Sequence, residues 1–250
     1  YLQREQRTEQ YDAWLVVVTS PSGYVGTCLR GKVPIALRAS GEDIQKSPEL
    51  AYGYRLDSAL EAKIQRVIAA YDKVVALTES VRTDFLDLGA ADRDIVTIPN
   101  GVDLSVFHEG VVEHRRELRE ELGIAESDLL LVFASMDFAG KGLMTVLEAM
   151  ALCEDGRATA SPWRLVVRGD GRRSRFERRA QQLGIGQAVW FGGRQRDITR
   201  FYGAGDLFVL PTVYEPFPNV NLEAMACGLP VATSSTAGGL DLVEPGRTGY

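Results

Sequence analysis

The sequence is poor in the residues that disulfide-stapled domains and metal sites depend on: its 250 residues include three cysteines and two histidines. Cys28, Cys153 and Cys227 form neither a CxxC pair nor an even set, which leaves reduced thiols in a cytoplasmic protein as the expectation. His108 and His114 lie away from the motifs described below, so no histidine-led triad or metal site can be assembled. Long apolar runs are missing too. The longest span a few residues, too short to cross a bilayer, and the first residues show no charged-then-apolar signal arrangement. Nor is positive charge in excess, since a net charge of −6 argues against nucleic acid as a partner. What is present, 45% apolar and 25% charged residues, is ordinary for a globular α/β chain of one large or two small domains.

Short apolar runs alternate with amphipathic stretches along the whole chain. Trp14–Val18, Val33–Leu37 and Lys73–Leu77 read as buried strands, and Asp94–Ile98 as a further one. Between the second and third, Leu56, Leu60, Ile64 and Ile68 recur every four residues, which predicts a helix within Ser47–Tyr71 laid on a sheet. A short helix over Ser80–Asp87 follows the third strand. The turn residues Pro99-Asn-Gly-Val-Asp103 then break the pattern, and a charged helix, Glu113–Leu122, leads to a second series. That series comprises strands at Leu129–Phe133, Trp163–Val167, Ala188–Phe191, Asp206–Pro211 and Val231–Thr233. Helices are expected at Gly142–Cys153, Arg172–Leu183 and Asp197–Tyr202. Strands alternating with helices imply parallel, doubly wound sheets, so two Rossmann-like domains are expected, 1–103 and 104–250. The chain opens on a polar stretch without an initiator methionine and stops in a turn at Gly246–Tyr250, so both domains are expected to be incomplete, as in a fragment.

The second series culminates in Glu215-Pro-Phe-Pro-Asn-Val-Asn-Leu-Glu-Ala-Met-Ala-Cys-Gly228. Asn219 reads as an N-cap, Leu222, Met225 and Ala226 as the packed face of a helix, and Gly228 as its left-handed stop. Such a helix start after a strand presents unpaired N–H groups and partial positive charge, a natural phosphate site. Glu223 lies one turn into the helix and Glu215 eight positions earlier, and carboxylates beside an anion site make sense for a ligand that also carries hydroxyls. Taken alone, Glu223 reads as complementing its own helix dipole and Glu215 as a solvated loop acid, the usual fate of such residues. Gly140-Lys141-Gly142 repeats the strand-to-helix arrangement with a lysine added, against the alternative of an exposed helix-start lysine. Gly169-Asp-Gly171 and Gly192-Gly193-Arg194 are turns after the next two strands. Asp92-Arg-Asp94 has metal-binding DxD spacing but sits in a turn before a strand, away from these motifs. Arginines 172, 173, 175, 178 and 179 form a basic cluster, interrupted by Glu177 and Gln181, that reads as a solvated helix face, with peripheral membrane contact the alternative.

Together with Pro211-Thr-Val-Tyr-Glu215, Ala-Met-Ala-Cys-Gly-Leu-Pro-Val231 and the Pro99–Asp103 segment followed by Phe107, these motifs closely resemble glycosyltransferase family 4, the retaining group with the GT-B fold. The resemblance implies two parallel-sheet domains facing a cleft and metal-independent transfer of a sugar, without a cofactor, from a nucleotide-diphosphate donor. It leaves the acceptor as a glycan, a lipid-linked molecule or a small molecule, and a lipid-linked one would place the protein at the inner face of the membrane. It further implies that Lys141, flanked by Gly140 and Gly142, binds the diphosphate with the helix start at Asn219 and Val220. Glu215 and the Phe217-Pro218-Asn219 backbone would hold the sugar, Glu223 the ribose, and Gly193 and Arg194 would border the base. Glu215 and Lys141 would be the residues nearest the chemistry. Two departures stand out: Met136 replaces a common arginine, for which Arg168 or Arg194 could substitute, and Ser40 replaces a common histidine. A nucleotide-sugar epimerase of the same fold, or a piece that binds nucleotide without turnover, are the alternatives.

Overall fold

The computed structural model describes residues 1–48, 51–156, 161–194, 197–235 and 237–250. It divides into two units, Tyr1–Asn100 with Glu215–Phe217, and Gly101–Tyr214 with Pro218–Tyr250.

In the first unit, strands β1 (Trp14–Val17), β2 (Ile35–Arg38), β3 (Lys73–Ala76) and β4 (Ile95–Thr97) lie side by side in sequence order, all parallel. Helices α1 (Leu2–Glu9), α2 (Ser58–Ile68) and α3 (Glu79–Asp87) accompany them. Ile35, Leu37, Ile64, Val67, Ile68, Val74 and Phe85 form the buried core. Two expectations are corrected. The first strand is not buried: among the described residues β2 is its only strand neighbour, so Leu15 and Val17 are exposed and Trp14 and Val16 half-buried. The helix expected within Ser47–Tyr71 starts at Ser58, because the Asp57 carboxylate accepts from the Ala59 and Leu60 amides and caps it there. Leu56 therefore sits in a preceding 3₁₀ turn and is exposed, Ile64, Val67 and Ile68 carry the buried face, and Glu49 and Leu50 lie outside the described residues.

The second unit has β5 (Leu129–Ala134), β6 (Trp163–Arg168), β7 (Val189–Phe191), β8 (Leu207–Leu210) and β9 (Val231–Thr233) in the order β7-β6-β5-β8-β9. All pairings are parallel. Its helices are α4 (Arg115–Leu122), α5 (Leu143–Gly156), α6 (Ser174–Gln182), α7 (Thr199–Ala204), α8 (Asn219–Ala226) and α9 (Ala237–Leu242). Leu130–Phe133, Leu165–Val167, Phe208 and Leu210 are buried by helices on the sheet faces, which is why these strands read as unbroken apolar runs. From β5 the chain winds one way through β6 and β7, then returns to β5's other side as β8 and β9. The loops that leave β5 and β8 therefore diverge, and open parallel sheets bind ligands at such a switch point, beyond the carboxyl ends of the strands.

Candidate functional site

The loop after β5 is built to bring a lysine to that switch point. The Asp137 carboxylate accepts from the amides of Ala139 and Gly140, each at 3.1 Å, closing a tight turn. Phe138, buried, anchors it edge-on against Phe133 and Phe176. Gly142 adopts φ +79°, and a Cβ there would stand 1.9 Å from the Pro211 carbonyl oxygen, so only glycine lets this backbone pass so close to the end of β8. Helix α5 starts at Leu143, one residue later than expected, because Gly142 holds this left-handed conformation.

The two loops are stitched together. Gly140 O accepts from Val213 N at 2.9 Å and lies 3.3 Å from the buried Thr212 hydroxyl, which also reaches Tyr214 O at 2.9 Å. Lys141, half-buried, extends across and donates from Nζ to Tyr214 O at 3.0 Å. A flexible ammonium is thus held at the start of the segment that leads through Glu215 into α8.

That helix differs in detail from the expectation. Its N-cap position is Pro218, with no side-chain cap, and Asn219 is the first helical residue. Proline offers no side-chain acceptor, so this helix entrance carries no Asx cap. The buried face is Asn221 and Ala224, continuing to Cys227, while Leu222, Met225 and Ala226 are half-buried. Gly228 closes the helix at φ +82°. Glu223 sits on α8 with its Oε2 accepting a 3.1 Å hydrogen bond from Tyr202 Oη. Burial raises the Glu223 pKa above its ordinary 4.5, partly opposed by the Tyr202 bond. The fully buried Tyr202 packs edge-on against Phe208 at 5.7 Å, and burial, then the Glu223 charge, pushes its phenol well above 10. Tyr202 and Thr212 were not picked out by sequence pattern; a tyrosine inside an apolar helix, whose hydroxyl requires a partner, was the available signal.

Glu215 and Phe217 belong to the first unit, where Glu215 Oε1 lies 3.3 Å from Phe217 N. Pro216 packs so closely on Gly41 that a Cβ at Gly41 would come within 2.7 Å of the proline ring. Tyr52 is pushed up to about 12 by burial and then by the charges of Glu42, Glu215 and Asp43. Ser40 and Gly41 donate their amides, each at 2.9 Å, to Asp43 Oδ1.

Gly193, at φ +64°, and the exposed Arg194 follow β7, at the same strand-end edge as Lys141 and the entrance to α8. Arg168 does not stand in for the missing cation at Met136. It is buried under the loop after β7 and donates to Gly192 O. Asp92 and Asp94 pair with Arg82 and Lys73, which accounts for both acids of the DxD spacing. Arg173, just before α6, pairs with Glu177, and Arg179 of α6 pairs with Glu148 of α5. Among the described residues no group of three His, Cys, Asp or Glu is placed to hold a metal, and no helix is long and apolar enough to cross a membrane.

Residues 114–250 match the family described as "Glycosyl transferases group 1", and residues 1–106 that described as "Glycosyltransferase Family 4". The chain is 30% identical over 243 residues to a D-inositol 3-phosphate glycosyltransferase of Gordonia bronchialis, covering 91% of this chain and 52% of that one. It is 29% identical over 195 residues to the N-acetyl-alpha-D-glucosaminyl L-malate synthase of Bacillus anthracis, covering 78% of this chain and 49% of that one. The chain thus spans about half the length of these curated relatives. Among solved structures, Anabaena HepE in complex with UDP superposes with a TM-score of 0.82 at 23% identity, over 100% of this chain and 66% of that one. The fold is therefore the expected GT-B type, built on Rossmann-like parallel sheets.

Proposed function

Because this chain belongs to the group 1 glycosyl transferases, we propose that residues 104–250 bind a nucleotide-diphosphate sugar and that the protein transfers the sugar, with retention, to a glycan, lipid-linked or small-molecule acceptor. The observation that carries this reading is the position of Lys141, at the sheet's switch point and bonded to Tyr214 O at the head of the segment leading to α8. The relative solved with UDP supports the donor class.

Breaking a glycosidic bond to a diphosphate leaves negative charge on the leaving group and positive character on the sugar. Lys141 and the amides of Asn219 and Val220 at the start of α8 stabilise the first, as a preorganised clamp that needs no metal ion. The glycines at 140 and 142 allow that approach, and Gly193 and Arg194 border the base. Glu223 accepts from the ribose hydroxyls, and Glu215, with the Phe217-Pro218-Asn219 backbone, accepts from the sugar hydroxyls near the reacting carbon. Catalysis on this account is mainly electrostatic positioning.

Calorimetry with UDP and GDP tests donor binding, and kinetics on two variants test the roles. Glu223→Ala is expected to raise the donor KM with little change in kcat, and Glu215→Ala to lower kcat chiefly. Wild-type donor kinetics in both variants would sink the assignment. Turnover of a nucleotide sugar with no acceptor present would convert the reading to an epimerase.

A further inference from the structure

Arg168 closes β6 with 2% of its surface exposed, and no ion pair among the described residues includes it. Leaving a guanidinium in the interior without a carboxylate is costly. Its charge is met instead by two rings and a carbonyl. The guanidinium carbon lies 4.2 Å from the Phe201 ring centre and 5.6 Å from that of Trp190, and the two rings stack 5.9 Å apart at 18°. Nη1 donates to Gly192 O at 2.6 Å. An apolar side chain could fill the same slot, but it could not hold that oxygen.

The slot exists because residue 192 is glycine. A Cβ there would fall 2.1 Å from Arg168 Nη1 and 1.9 Å from the Trp190 ring. The same loop is tied to β6 by two backbone bonds, Gly192 N to Val167 O at 3.1 Å and Gly169 N to Gly193 O at 3.2 Å. The Arg168 bond is the side-chain tie beside them, and it fixes which way the Gly192 carbonyl points. A peptide held in one orientation presents one pattern of donors and acceptors, and that pattern is what can tell nucleobases apart.

We propose that Arg168 is a positioning residue for base recognition: by holding the Gly192 carbonyl inward, it sets the backbone that Gly193 and Arg194 offer to the base of the nucleotide donor. This rests on the reading that the loop after β7 borders that base. The diphosphate is gripped elsewhere, so Arg168 acts on choice of base and leaves phosphate affinity alone.

The test is calorimetry of the wild type and Arg168→Met with UDP, GDP, ADP and base-free inorganic pyrophosphate, alongside thermal melts. The wild type should prefer one nucleoside diphosphate over the others. In Arg168→Met that preference should shrink at least tenfold, while pyrophosphate binds as in the wild type. Unchanged base preference in the variant overturns the role of Arg168 and leaves the donor site standing. Equal loss for all ligands, pyrophosphate included, also overturns it, since that marks a purely structural residue. If the wild type binds no nucleoside diphosphate at all, the donor-site reading falls and takes this one with it. Should Arg168→Met fail to fold, Arg168→Lys keeps the charge without the planar fork, and the same ratio of base preference decides.

Discussion

Tyr202 Oη and Glu223 Oε2 lie 3.1 Å apart, joining α7 to α8 through a hydrogen bond in which the fully buried phenol donates to a half-buried carboxylate. Burial dominates the Glu223 carboxyl and raises its pKa above the ordinary 4.5, while the phenol works against that shift by favouring the charged form. An ionised carboxylate is the stronger acceptor for ribose hydroxyls, so donor affinity should rise with pH through this raised pKa and be lost below it. Tyr202→Phe removes the opposing bond, and the acid limb of the affinity profile is expected to move to higher pH. Measuring UDP affinity against pH for both proteins checks it, and superimposable curves would remove Tyr202 from the site.

Lys141 makes a second, sharper prediction. Its Nζ is held on Tyr214 O, and in the proposed complex it would add a charge-assisted bond to the diphosphate. Lys141→Met should weaken UDP binding by about 1.5 to 3 kcal/mol, roughly tenfold to 150-fold. Uridine, which lacks the diphosphate, should bind both proteins alike. Titrations of both ligands settle it: an equal loss for uridine would mean that the loop, and not the phosphate contact, had been disturbed.

Much of this architecture was legible in the residue pattern, and the exceptions have physical causes. The runs at Leu129, Trp163 and Asp206 mark strands covered on both faces, so burial itself writes them as apolar. The same pattern misleads at Trp14, because a strand at the edge of its sheet keeps the apolar run without the cover. At Leu56 the four-residue spacing runs ahead of the Asp57 cap, where the helix begins. At Asn219 an amide suited to capping is displaced one position by Pro218. In the site, Lys141 and Glu223 could be singled out by their place after a strand or on a helix. Tyr202 with Glu223, Thr212 with Gly140, and Arg168 with Gly192 could not, since each pair meets only through the strand order β7-β6-β5-β8-β9, which periodicity does not encode.

Arg119 anchors the second unit. It is 2% exposed and donates to the carbonyls of Ala204, Ala125 and Asp128 while pairing with Asp206, which Arg115 also contacts at 2.9 Å. Arg119→Met leaves those carbonyls without their donor and removes one of the two cations on Asp206, so a loss of about 3 kcal/mol is expected. Urea unfolding gives the value. A loss below about 0.5 kcal/mol, the usual range for surface substitutions, would show that water replaces the guanidinium without penalty.

The first unit holds a carboxyl whose titration should be visible in stability. Asp84 accepts from Gln45 and lies 3.7 Å from Arg55, yet burial drives its pKa up from 3.8 to about 7, with the Asp87 charge adding and Arg55 opposing. Between those two values the folded protein holds a proton that the unfolded chain has released. Stability therefore falls as pH rises through that window, by at most about 1.4 kcal/mol per pH unit, and levels off above 7. Asp84→Asn resembles the protonated form and can still accept from Gln45. Its stability relative to the wild type should grow from pH 4 to pH 7 and then stay constant, which thermal melts across pH 4 to 8.5 would show. A variant whose disadvantage instead deepens with rising pH would mean that the Arg55 attraction outweighs burial and that Asp84 is ionised in the folded protein near neutrality.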